Sequence, residues 1–166
     1  MKSTIARILL AALLGLLPAS ALFTPCSLDA QSSKPPVVVG PDAQRNALKS
    51  LRSQIVLFQN STHVAPNYGA AGYAIVWRQF QSLRAAYDSF KSTLTAQQLA
   101  AGANDFAELD AGLDVIQEAF TDYQNETGPG YSSPSSFLHL CHVLDRATAV
   151  WSQKLETDCS SLRIAG

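Results

Sequence analysis

The sequence predicts an all-α protein: an antiparallel up-down bundle of four helices behind a cleaved export signal. Three observations carry this expectation. Apolar residues recur at spacings of three and four through four successive segments from Asp42 onward, no stretch keeps a period of two for long, and loop-forming residues separate the segments. The 166 residues suffice for one domain with a single core. With 47% hydrophobic and 15% charged residues, the composition excludes a disordered polyelectrolyte or a charged rod. Twelve basic and 13 acidic residues leave a net charge of -1, so nothing draws the whole chain onto nucleic acid.

The first 30 residues read as a signal peptide. Lys2 and Arg7 supply a basic start, residues 8–17 are unbroken apolar, and Pro18-Ala19-Ser20-Ala21 ends in a small-x-small pattern. That apolar run holds ten residues, against the roughly 20 a spanning helix needs, so the mature chain is expected to have no membrane span. The protein is expected in the periplasm or outside the cell. Cleavage after Ala21 keeps Cys26 and cleavage after Ala30 removes it. Residues 31–40 form an extended linker, because Pro35-Pro36 disfavours helix and Val37-Val38-Val39 is too short to found a sheet. The bundle domain then occupies residues 41–166.

The first helix carries Leu48, Leu51, Ile55 and Phe58 on one stripe, and a loop follows over residues 60–67 with Pro66. It spans roughly 18 residues, or about 27 Å at about 1.5 Å per residue. The remaining helices are longer, so three long helices plus one short is the variant architecture, with one end of the core thinly covered. The second helix presents Val76, Phe80, Leu83, Tyr87, Phe90 and Leu94. The third starts at Thr95, whose hydroxyl and Gln98 make a capping box, and continues through Leu99, Phe106, Leu109, Leu113, Ile116, Phe120 and Tyr123. After Thr127-Gly128-Pro129-Gly130, Ser133 and Pro134 suit the cap and first turn of the fourth helix, which carries Phe137, Cys141, Leu144, Thr148, Trp151, Leu155 and Leu162. The aromatic residues Tyr73, Trp77, Phe80, Tyr87, Phe90 and Trp151 track these stripes and belong to the core.

On one continuous helix Cys141 and Cys159 stand about 27 Å apart, far beyond the roughly 4.4–6.8 Å between Cα atoms that a disulfide tolerates. Cys141 is expected as a small core residue. Cys159, one place off the stripe, is expected as a near-terminal thiol, either free or paired with Cys26 or a partner chain.

Up-down topology gathers His63, His139 and His142 at one end, together with Tyr68, Tyr73, Tyr123, Tyr131, Asp122 and Glu126. Imidazoles beside a carboxylate suit zinc or copper, which makes His63, His139 and His142 candidate metal ligands. Against that, with Cys141 in the core, His139 lies about 160° and His142 about 100° round the helix, at surface and boundary positions. No C-x-x-C-H run exists, no Glu stands three residues before a His, and the sole Met is Met1, so no cofactor is expected.

Charge patterning is the least ordinary feature. Residues 95–127 hold seven acids (Asp105, Glu108, Asp110, Asp114, Glu118, Asp122, Glu126) and no Lys or Arg. From Asp110 to Glu126 they repeat every four residues, and like charges so placed repel by a few tenths of a kcal/mol per pair. Residues 41–94 hold six bases against two acids, so pairing across helices is expected to neutralise part of the row. The rest offers an acidic face. Asp114, Glu118 and Asp122, with Tyr68, Tyr73 and Tyr123 at the aromatic end, are the candidate contacts for an unidentified protein or small-molecule partner. The reading is an exported, non-enzymatic binding bundle; a metal- or cofactor-binding bundle using His139 and His142 is the alternative.

Overall fold

The first ordered element begins where sequence chemistry places it. Gly40 is extended (φ -72°, ψ 161°), Pro41 takes the first helical position and Asp42 faces the positive helix end, so α1 runs Pro41–Val64. The structure, a computed structural model, describes residues 40–128 and 133–162. The signal segment with Ala21, Cys26 and Ala30, residues 31–39 of the linker, the Pro129-Gly130 turn and Tyr131 lie outside the described residues.

α1 has 24 residues, six more than expected, because loop-like residues are satisfied within it. Ser61 and Thr62 donate their hydroxyls to the carbonyls of Phe58 and Gln59, each at 2.7 Å, and both side chains are buried. A 3-10 turn, Ala65–Tyr68, follows, and Gly69 at φ +54° swings the chain into α2, Gly69–Ser92. The short first helix and its thinly covered core are therefore corrected: α1 and α2 each have 24 residues. Gly72 permits the close return, since a Cβ there would overlap the Ala65 carbonyl oxygen and lie 2.8 Å from its carbon.

The third predicted helix divides. Thr95 and Gln98 form both halves of the expected capping box and start α3, Ala96–Ala101. The helix breaks at Gly102 (φ -102°, ψ 19°), and α4 continues as Ala103–Thr127. A side chain at Gly102 would lie 2.5 Å from Leu162 Cδ1 and 2.9 Å from Phe106, so the break seats the chain against the far end of α5. α5 runs Pro134–Ser161, capped as expected by Ser133, whose hydroxyl accepts from the Ser136 N–H at 3.2 Å. The described residues are 93% helical, with four long helices and no strand.

The expected stripes form the core: Phe58, Val76, Leu83, Tyr87, Phe90, Leu109, Ile116, Phe137, Leu144 and Leu155 are completely buried. Phe80 joins Phe58 at 5.9 Å and Phe120 at 5.5 Å between ring centroids, tying α1, α2 and α4 together. Contacts between three of the helix pairs run in opposing residue order. Between α2 and α4, Tyr73 meets Phe120 while Lys91 meets Asp110; between α4 and α5, Tyr123 meets Phe137 while Glu108 meets Lys154; between α1 and α5, Arg52 meets Glu156 while His63 meets Asp145. Among the described residues no helix is long and apolar enough to cross a membrane.

The Arg52–Glu156 pair yields a pH expectation. Arg52 Nε and Nη2 donate to the two Glu156 oxygens at 2.7 and 2.6 Å, and this holds the carboxyl below its ordinary range against a smaller opposing effect of burial. Both side chains are nearly half exposed, 43% and 47%, so solvent limits the pair to about 1 kcal/mol or less. The folded carboxyl is the stronger acid. The pair's contribution is therefore complete above the ordinary carboxylate value of about 4.3 and is lost as pH falls through the lower folded value. Glu156→Gln should lower the melting temperature at pH 7 by at most about 3–6 °C, with the gap to the native protein closing towards pH 3. Melts across that range check it; a gap constant with pH would contradict the assignment.

Candidate functional site

α4 and α5 are close neighbours whose inward stripes leave a groove between them. With Phe106, Leu109, Leu113, Ile116, Phe120 and Tyr123 buried, α4 leaves Val115, Asp122 and Glu126 exposed. With Leu140, Cys141, Leu144, Thr148 and Trp151 buried, α5 leaves His139, Val143, Arg146 and Val150 exposed. Gly112 sets the groove's depth: a Cβ there would stand 2.7 Å from Trp151 Cδ1, so only glycine lets the indole lie against α4. The Trp151 Nε1–H donates to the Leu109 carbonyl at 2.8 Å, and the ring meets Tyr87 edge-on at 5.5 Å.

Two hollows follow. The first, about 360 Å³, is lined mainly by Gly112, Val115, Ala147, Val150 and Trp151, with Glu108, Arg146 and Lys154 completing its lining. The second, about 230 Å³, has Ala119, Leu140, Val143 and Tyr123 with Asp122, Glu126 and His139. Val150 is 71% and Val115 57% exposed, ahead of Val56 at 54% and Val64 at 50% on α1.

Two of the other grooves are braced by charge. Between α2 and α4, Arg84 reaches Asp114 at 2.9 Å and Lys91 reaches Asp110 at 2.8 Å; between α1 and α5 lie Arg52–Glu156 at 2.6 Å and His63–Asp145 at 3.2 Å. The α4/α5 groove carries Lys154–Glu108 at 2.8 Å near one end, and beyond it no ion pair crosses among the described residues. Only three of the seven acids are thus ion-paired among the described residues. Glu108, Asp110 and Asp114 are paired, whereas Glu118, Asp122 and Glu126 are exposed without a hydrogen-bond or ion-pair partner among the described residues.

The remaining expected site residues are dispersed. Tyr73, expected both on the core stripe and as a contact, belongs to the core: it is 7% exposed, stacks on Tyr123 at 5.6 Å, and its hydroxyl accepts from Gln124 Nε2 at 2.6 Å. Tyr123 is also buried but lines the second hollow, and Tyr68 is exposed on the 3-10 turn. The histidines part company. His63 and His142 line a cleft of about 120 Å³ with Thr62, Pro66, Leu138, Cys141 and Asp145, whereas His139 lines the second hollow of the α4/α5 groove. No group of three His, Cys, Asp or Glu among the described residues is placed to hold a metal ion. The expected His63, His139 and His142 trio is therefore not assembled as one site, because positions three apart on α5 open into different grooves.

Cys141 and Cys159 are free and buried, at 1% and 3% exposure, and burial pushes both thiols up to about 11. Of the two states expected for Cys159, free or paired, the structure has it free, and it is buried. At pH 8 both should react with a thiol reagent about a hundredfold or more slower in the folded protein than in denaturant. Rapid labelling of either in the native state would contradict their burial.

No family model, curated protein or solved structure matches the chain.

Proposed function

We propose that the chain is an exported, non-enzymatic binding protein, and that its partner docks along the α4/α5 groove. Its four long helices alternate in direction as an up-down bundle, a reading supported by the opposing residue order of the α2/α4, α4/α5 and α1/α5 contacts and by the like order of the α2/α5 pairs Tyr73–Phe137 and Tyr87–Trp151. The apolar run at residues 8–17 and the small residues after it support export.

The observation that carries the proposal is the contrast of the α4/α5 groove with those of α2/α4 and α1/α5. Ion pairs brace α2/α4 and α1/α5 at two levels each, while the stretch of α4/α5 with its exposed valines and unpaired carboxylates stands open among the described residues. Apolar hollows with a polar rim are the form that protein contact sites take. Binding rather than catalysis is favoured because both described thiols are buried and raised, unsuited to serve as nucleophiles.

Site-specific photocrosslinking tests it. A benzophenone side chain at Val150 in the producing cell should give a discrete adduct, and one at Gln81, exposed on α2, should not. Equal adducts from both positions, or none from Val150, would contradict the assignment of this face.

A further inference from the structure

We infer that the occupant of the α4/α5 groove is an amphipathic helix of a partner protein, with an aliphatic stripe and a basic flank. This rests on the proposed docking face and adds the chemistry of what fills it.

The groove divides by character along its length. Around Gly112, Val115, Ala147, Val150 and Trp151 the lining is apolar and offers little but van der Waals contact and exclusion of water. From Glu118 to Glu126 the α4 edge carries three carboxylates without partners among the described residues. A side-chain row stepping by four turns about 40° per step, so Asp114 sits towards α2, where Arg84 holds it, while Asp122 and Glu126 come round to the α5 side and line the second hollow. The occupant must therefore bury aliphatic side chains at one end and set positive charge against the other.

Length and secondary structure follow from the same geometry. Gly112 and Glu126 are separated by about 21 Å of helix rise, which a partner helix of about 14–16 residues matches. A helix with apolar residues at steps of three and four fits a groove between two helices, with all of its backbone groups satisfied internally. Basic residues on one flank would then face Glu118, Asp122 and Glu126. A second copy of this chain fits less well: it would bring three unpaired carboxylates from each molecule against Arg146, the one guanidinium lining these two hollows, while Lys154 is already held by Glu108.

The probe is a synthetic 16-residue helix with Leu at steps of three and four and Lys along one flank, fluorescently labelled and titrated with the purified chain. Saturable binding is expected at about 1–100 µM. Raising salt from 50 to 300 mM should weaken it about fivefold. Val150→Asp, at a solvent-exposed position that leaves the core untouched, should weaken it about tenfold or more, and so should Glu118→Gln/Asp122→Asn/Glu126→Gln. Both variants should keep the native helical circular dichroism. Three results would overturn the inference. If the same peptide with Glu in place of Lys binds equally well and Val150→Asp still abolishes it, the groove docks a partner but not a basic one. If the protein instead self-associates, and Val150→Asp restores the monomer, a second copy is the occupant. If the Lys peptide fails to bind, the inference falls, while crosslinking from Val150 decides separately whether the face docks anything.

Discussion

Gly72→Ala is expected to destabilise the protein by about 3 kcal/mol or more, a fall in melting temperature of roughly 10 °C or greater. Helix propensity alone points the other way, since glycine inside a helix is worse than alanine by up to about 1 kcal/mol. The sign therefore separates the two accounts. Gly72 faces the backbone of the 3-10 turn, where a Cβ would overlap the Ala65 carbonyl oxygen. Backbone cannot rotate aside as a side chain can, so the first turn of α2 must withdraw from the end of α1. Gly40→Ala is the control, because no atom lies within 4 Å of the position a Cβ would take there. Thermal and urea unfolding followed by circular dichroism measures both. A Gly72→Ala protein as stable as the native one would contradict the close packing of the α1–α2 junction.

Trp151→Ala should cost a further large amount, about 3–5 kcal/mol, by leaving a cavity in the floor of the groove. The indole is 3% exposed, meets Tyr87 edge-on and donates to the Leu109 carbonyl, so it joins α2, α4 and α5 at one level. Trp151→Phe retains most of the ring volume but removes the N–H and should cost about 1–2 kcal/mol. The ordering of the two variants is the test. Equal losses would assign the whole effect to the hydrogen bond, and negligible losses would contradict the burial of Trp151. The alanine variant should also weaken binding of the Lys-flanked helix, since Val115 and Val150 line the same hollow as Trp151.

What the sequence made legible is the packing stripe. Leu48 through Phe58, Val76 through Phe90, Leu109 through Phe120 and Phe137 through Leu155 all point inward because period alone dictates which face can be buried. Boundaries were less legible, since they depend on tertiary partners. Ser61 and Thr62 look like loop residues by type, yet inside a packed helix their hydroxyls find carbonyls one turn back. The break at Gly102 depends on Leu162, sixty residues away in sequence.

The site was legible only in half. The acidic row is visible as a run of charge, but which members are neutralised depends on where Arg84, Lys91 and Lys154 reach. Tyr73 reads as an aromatic end residue and is drawn into the core by Phe120, Tyr123 and Phe137. Val115 and Val150 pass for scattered surface valines, which are ordinary on any protein, until Gly112 brings α4 against Trp151 between them. An interior helical glycine three residues before an off-stripe valine was the available signal.

The groove between α4 and α5 is proposed as the docking face for a partner. Amide chemical shifts of the ¹⁵N-labelled chain, recorded during titration with the Lys-flanked helix, test it residue by residue. The changes should concentrate at residues 112–126 and 139–150, with the Trp151 indole N–H also moving, and should spare the exposed sides of α1 and α2. Changes centred on α1 and α2, with residues 112–126 unmoved, would contradict it.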